Sequence, residues 1–390
     1  MRRRDLVAAV ILAAGFWPLP FAPAHAADTI KLGILYNVTG NQASLDGPSL
    51  NGAKLAAKEI NAAGGVLGKQ LELAIYDGKS DASAITTATS QLINSDKVVA
   101  IVGLNDTDAV LAAAPQFEKA GIPFITPGAT SPKLPSQAGK ELFLACFGDN
   151  VQAGAGAEYA LKTLKFKTAY LWTDTSAEYT TLLSAYFTKA FQHGGGKILA
   201  KDSYKTGDKS FTAQITKLKA SRPKPDFLYV AANPDDIGLV VKQLRQAGVK
   251  LPVFGGDGYD TPLLLDVGGE AANNVYFTTH SFLGENTTAP IKAFKAAYKA
   301  AYHTDPENVF VALAYDGVRL MADAIKRAGS TDPEKIREAL AATKGFPGIT
   351  GTISYAPGKA IPDKTVTIIH VKDKMLTLGG ELTPAYVPDP

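Results

Sequence analysis

The chain has 390 residues, 46% of them hydrophobic and 20% charged, with a formal net charge of +3. That length accommodates two ordinary domains, and the composition is that of a globular protein with a sizeable core. So even a charge balance gives no support for nucleic acid or an anionic membrane as partner, and a single cysteine, Cys146, excludes a disulfide within the chain.

The first residues read as an export signal. Arg2-Arg3-Arg4 precede an apolar run through Phe21, broken by Pro18, Pro20 and Pro23, and Ala24-His25-Ala26 is an A-x-A cleavage pattern. Cleavage after Ala26 removes Arg2, Arg3, Arg4 and Asp5, which takes the net charge from +3 to +1. The apolar stretch is too short for a membrane anchor, and no Cys follows the cleavage point to carry a lipid. The triple Arg leaves the general secretory and twin-arginine routes both open.

Beyond the signal, short apolar runs alternate with helical spacing. Strands are expected at Ile30–Tyr36, Leu71–Tyr76, Val98–Val102 and Ile122–Ile125, with helices at Leu50–Ile60 and Ala82–Asn94. The pattern then restarts. Strands at Leu142–Phe147, Thr168–Trp172, Lys197–Lys201, Asp226–Val230 and Pro252–Phe254 alternate with helices at Gln152–Leu164, Thr180–Phe191, Thr212–Lys219 and Asp236–Ala247. Helices at Ile291–Tyr302, Val309–Ala328 and Pro333–Thr343 follow, then strands at Ile349–Tyr355 and Lys364–Val371. The proline-rich tail Thr383–Pro390 is expected to be loose. Such alternation predicts an α/β protein with two mainly parallel, doubly wound sheets, and a ligand held between the two halves.

The polar residues worth attention sit where apolar runs end, because open parallel sheets bind ligands at the carboxyl ends of their strands. Thr107 and Thr130 follow two such runs, and their hydroxyls with nearby backbone N–H groups suit a small anion such as a carboxylate. Asp257, in Gly255-Gly256-Asp257-Gly258, could hold a cation, although a turn-forming role suits the same pattern. Asn233 and Asp174 occupy comparable strand ends. Asn105 and Asp106 suit a helix N-cap. No nucleophile elbow, zinc-binding helix or phosphate loop is present, and His193, His280, His303 and His370 lack metal-ligand spacing. Cys146 lies in an apolar run and reads as a buried structural thiol. Neither an enzyme, a metal nor a cofactor is expected.

Several stretches, in this order and spacing, resemble the periplasmic leucine/isoleucine/valine-binding proteins of branched-chain amino acid ABC transporters. They are Lys31-Leu32-Gly33-Ile34-Leu35 with Thr39-Gly40, Asn51-Gly52-Ala53 through Glu59-Ile60-Asn61-Ala62-Ala63-Gly64-Gly65-Val66-Leu67-Gly68, Ile101-Val102-Gly103, Gly121-Ile122-Pro123-Phe124-Ile125-Thr126-Pro127-Gly128-Ala129-Thr130, and Pro225-Asp226-Phe227. The resemblance spans nearly the whole chain after the signal. It implies a type I periplasmic binding protein fold, two doubly wound lobes joined by three crossovers near Gly148, His280 and Tyr355. One lobe would comprise residues 28–147 and 281–354, the other 148–280 and 355–390.

By the same resemblance, Thr107 and Thr130, with backbone help from Asn105 and Gly128, would hold a ligand carboxylate, and Asp257 would receive an α-ammonium. Tyr179, Asn233 and Leu45 would line the pocket. This chain has Leu45 where relatives carry an aromatic residue, Asn233 where they carry Tyr, and Asp257 in place of a commoner Glu. The implied function is delivery of a small amino acid, branched-chain or related, to a membrane permease by a monomeric periplasmic protein. Uptake of an aromatic or other small carboxylic acid, or sensing of a ligand on the same fold, are the alternatives.

Overall fold

The computed structural model describes residues 29–285 and 287–390, so the expected export signal, residues 1–26, lies outside the described residues. The first half runs β1 (Thr29–Tyr36), α1 (Ala43–Ala62), β2 (Gln70–Asp77), α2 (Ala82–Asn94), β3 (Ala100–Gly103), α3 (Thr107–Ala120), β4 (Phe124–Thr126), α4 (Leu134–Ala138) and β5 (Leu142–Leu144). These strands pair in parallel in the order β2-β1-β3-β4-β5. β3, β4 and β5 are buried at every position, as a sheet with helices on both faces requires.

The layout repeats through α5 (Asp149–Lys162), β6 (Thr168–Asp174), α6 (Glu178–His193), β7 (Lys197–Tyr204), α7 (Thr212–Ala220), β8 (Phe227–Ala231), α8 (Pro234–Gln246), β9 (Val253–Gly255), α9 (Pro262–Gly268) and β10 (Val275–Thr279). The second sheet has the same parallel order, β7-β6-β8-β9-β10. It is extended by the antiparallel strands β13 (Val366–Lys372) and β14 (Met375–Leu382). Between β10 and β13 the chain returns to the first sheet as α10 (Ala289–Tyr302), α11 (Phe310–Ala328), α12 (Pro333–Ala341) and the hairpin β11 (Phe346–Gly348) and β12 (Gly351–Ile353). There Val311, Ala314, Val318 and Met321 of α11 share one core with Leu32, Ile34, Val102 and Ile125 of the sheet. The result is two doubly wound, parallel-sheet lobes between which the chain passes three times.

Four local expectations are corrected. α1 starts at Ala43, ahead of Leu50, and runs through Pro48. Proline has no N–H for the carbonyl four residues back, and that orphaned Ser44 carbonyl is instead taken by Asn308 Nδ2 at 2.9 Å. β5 stops at Leu144 because the chain then leaves the sheet. The carbonyls of Leu144 and Ala145 accept from Tyr355 Oη (2.9 Å) and Lys364 Nζ (3.1 Å). The single strand expected at Ile349–Tyr355 is one arm of the β11–β12 hairpin. Finally, the tail is docked rather than loose: Ala385 N–H donates to Glu158 (2.8 Å), Asn150 Nδ2 donates to the Pro388 carbonyl (2.9 Å), and Tyr386 stacks on His193 at 3.7 Å.

Candidate ligand-binding site

The carboxyl ends of the two sheets face each other across a cleft. Both sheets switch direction of winding between their first and third strands, the place where such folds form a crevice. An inner cavity of about 290 Å³ of empty space, its mouth included, lies between them. The eight residues that the family resemblance places at the pocket all line it: Leu45, Asn105, Thr107, Gly128 and Thr130 from the first sheet's side, Tyr179, Asn233 and Asp257 from the second's.

Asp257 follows β9 and is 2% exposed. Its Oδ1 accepts from Gln152 Nε2 (2.8 Å) and Tyr179 Oη (2.9 Å), and its Oδ2 lies 3.0 Å from His280 Nε2. Burial lowers the pKa of His280 below the usual imidazole value, so the ring is neutral and its Nε2–H donates to the carboxylate. Phe147 stacks on that ring at 4.0 Å and fixes its plane. A carboxylate offers about four acceptor sites. Three are filled, and one remains open. Behind it, Asp149 is fully buried. Burial first, then the Asp257 charge, pushes its pKa well up, against hydrogen bonding to Thr130 and Gln152.

The opposite end is built by the loops after β3 and β4. Asp106 caps α3, accepting Ala109 N–H at 2.9 Å, and this leaves Thr107 in the first helical turn with its hydroxyl buried and unpartnered among the described residues. Thr107 and Thr130 thus border one cavity at a helix N-terminus, where N–H groups and the helix dipole favour an anion. Tight backbone packing sets this geometry. A Cβ on Gly103 would lie 1.8 Å from the Leu35 carbonyl oxygen. Leu104 is left-handed at φ 55°, a costly state for leucine. It is held there because its N–H donates to Leu35 O (2.8 Å) and its carbonyl accepts from Thr126 Oγ1 (2.6 Å).

Leu45 packs with Val309, Phe310 and Leu313 in a small apolar cluster that walls the cavity. Asn105 Nδ2 donates to Asp46 Oδ1 (2.7 Å) and Ser49 Oγ (3.0 Å) on the same helix as Leu45. Asp46, fully buried, also accepts Asn37 N–H at 2.8 Å, and burial pushes its pKa up to about 7. Asn233 Nδ2 is committed to Asp174 (2.8 Å) and Thr206 (3.0 Å), so Asp174 braces the loop and does not line the cavity. A wider outer chamber, about 750 Å³ of empty space, shares Gln42, Asp106 and Asn233 with the inner cavity and opens toward solvent.

Sequence reasoning missed Gln152, His280 and Phe310. Gln152 sits inside α5 and Phe310 opens α11, where nothing local marks them. His280 closes an apolar strand run, a position that could have been weighed as a strand end. Among the described residues no group of three His, Cys, Asp or Glu could hold a metal.

Two parallel-sheet lobes facing each other across a cavity, with buried hydroxyls at a helix N-terminus on one side and a buried carboxylate on the other, have the architecture of a solute-binding protein. A model of the family described as periplasmic binding protein matches residues 29–375, and the chain belongs to that family. It is 32% identical over 332 residues to the leucine-, isoleucine-, valine-, threonine-, and alanine-binding protein of Pseudomonas aeruginosa, covering 85% of this chain and 86% of that one. The crystal structure of a leucine binding protein from Thermotoga maritima matches with 31% identity and a TM-score of 0.85, over 91% of this chain and 99% of that one. The branched-chain amino acid transporter substrate binding protein of Streptococcus pneumoniae in complex with isoleucine gives 32% and 0.83, over 91% and 99%. A solute binding protein of an ABC transporter from Rhodopseudomonas palustris, in complex with 3,4-dihydroxybenzoic acid, gives 25% and 0.81, over 93% and 99%. The family and the type I fold expected from the motifs are the ones found.

Proposed function

We propose that this protein captures a free α-amino acid between its lobes and delivers it to the membrane permease of an ABC importer. The carrying observation is the polarity of the inner cavity. Thr107 and Thr130 border it at a helix N-terminus, and Asp257 faces it from the other lobe with one acceptor site open. That is the charge pattern of an amino acid's carboxylate and ammonium. In this reading Thr107 and Thr130, with backbone help from Asn105 and Gly128, hold the carboxylate. Asp257, Tyr179 and Asn233 meet the ammonium side, and Leu45 packs on the side chain. The names of the Pseudomonas and Streptococcus relatives support a branched-chain or related amino acid.

The protein works as a monomer in the periplasm, without catalysis, after export on residues 1–26 by either route. Residues 28–147 with 281–354 form one lobe and 148–280 with 355–390 the other, a division supported by each sheet falling within one set. The lobes rotate about the three chain passages, and the ligand favours the closed state.

A thermal-shift panel tests this. A ligand at 100 times its dissociation constant stabilises by about 2.7 kcal/mol. Stabilisation by no amino acid would sink the reading. One second reading has a specific support, the Rhodopseudomonas neighbour bound to an aromatic acid. Such a ligand carries no cation for Asp257, so a preference for benzoates over every amino acid would select it.

A further inference from the structure

We infer that the captured amino acid has a side chain ending in a hydroxyl or carboxamide, whose donor is received by Asn105 Oδ1. This rests on the amino-acid reading above and narrows it.

The Asn105 amide has one allowed orientation. Its Nδ2 donates to Asp46 Oδ1 and to Ser49 Oγ, and the Ser49 hydroxyl is itself spent on the Leu45 carbonyl at 2.8 Å. Rotating the amide would set its oxygen against the Ser49 hydroxyl oxygen, whose proton is already spent, bringing two acceptors together. Oδ1 consequently points to Gly128, where an added Cβ would lie 2.7 Å from it and 2.6 Å from the Phe310 ring. Asn105 is 7% exposed, lines the inner cavity, and its Oδ1 has no partner among the described residues. An unpaired buried acceptor is costly, and a ligand donor removes that cost. An aliphatic side chain would leave it in place.

The outer chamber is an independent second observation. Its described lining carries the carboxylates of Asp106 and Asp108 but no Lys, Arg or His, so an acidic side chain is repelled. Asn37, on the same wall and fully buried, has Nδ2 without a partner among the described residues. Asn105 in the inner cavity calls for a donor and Asn37 in the adjoining outer chamber for an acceptor, and hydroxyls and carboxamides supply both. The apolar patch of Leu45 and Phe310 meanwhile receives the aliphatic stem.

Calorimetric titration of the ligand-stripped protein with near-isosteric pairs, threonine against valine and asparagine against leucine, tests the inference. The polar member of at least one pair should bind tenfold or more tighter, glutamate should not bind, and Asn105→Leu should abolish or invert the preference. Valine and leucine binding as tightly as their polar partners would overturn the inference and leave the amino-acid reading standing. So would an unchanged ratio in an Asn105→Leu protein that still binds. Binding of no amino acid would overturn that reading and this inference with it. The wild-type pairs decide the matter even if Asn105→Leu does not fold.

Discussion

Gln152 and Asp257 exchange two hydrogen bonds: Nε2 of Gln152 donates to Asp257 Oδ1 at 2.8 Å, and its Oε1 accepts the Asp257 backbone N–H at 3.1 Å. The remaining capacity of the amide goes to Asp149 (2.8 Å) and Thr278 (2.6 Å). Gln152 is therefore a saturated brace that fixes where the Asp257 carboxylate points. Gln152→Leu should lower stability by about 2–3 kcal/mol, since buried partners are left unmade, and weaken amino-acid binding at least tenfold. Urea unfolding and calorimetry read the two effects. Unchanged affinity would remove the positioning role.

Asp257→Ala deletes the cation end of the cavity. Truncating one member of a buried charge pair costs about 2–5 kcal/mol of binding, so amino-acid affinity should fall by more than thirtyfold. A ligand of the same shape without the ammonium should lose little between wild type and variant. Equal losses for both ligands would place the ammonium elsewhere.

Asp46 makes a prediction about pH. Its folded pKa of about 7 lies above the ordinary value of 3.8, so the native state holds a proton that the unfolded chain has released. The resulting stability is complete below about pH 4 and is lost as pH rises through 7. His280 works in the opposite sense below its usual value, because burial keeps it neutral. The Asp46 contribution is thus read as the difference between wild type and Asp46→Asn. Between pH 5 and pH 8 wild type should lose about 2–3 kcal/mol relative to the variant. A flat difference would mean Asp46 is ionised throughout.

At the rim of the cleft Glu178 joins the two lobes: its N–H, at the start of α6, donates to Asp108 Oδ2 in the first turn of α3 at 3.1 Å, and its carboxylate accepts from Gln137 Nε2 at 3.2 Å. Asp108→Ala should remove about 1 kcal/mol from the closed arrangement and so weaken ligand binding severalfold, with little change in the ligand-free melting temperature. Small-angle scattering should show compaction on ligand addition in both proteins, with more ligand needed in the variant. Absence of compaction in wild type would count against closure.

The parallel layout was legible because buried strands are short, apolar and punctuated by small residues, and half of the site was legible for the same reason. Thr107, Thr130 and Asp257 stand directly after such runs. Gln152 was not, since it lies 105 residues from Asp257 in the chain and inside a regular helix. Pro48 misled in the other direction. Proline reads as a helix boundary, but the carbonyl it orphans is satisfied by Asn308, 264 residues from Ser44. The tail looked loose from its prolines, and only the folded arrangement supplies Glu158, Asn150 and His193 to hold it. Long-range partners of this kind leave no local trace.

Cys146 is fully buried and, chiefly through burial, its thiol pKa is pushed well up, so the chain's one native sulfhydryl is chemically silent. Asn41 is exposed on the rim of the outer chamber. An Asn41→Cys protein would therefore carry a single addressable thiol at the rim of the cleft. An environment-sensitive dye attached there would turn the uptake protein into an optical reporter of its own solute.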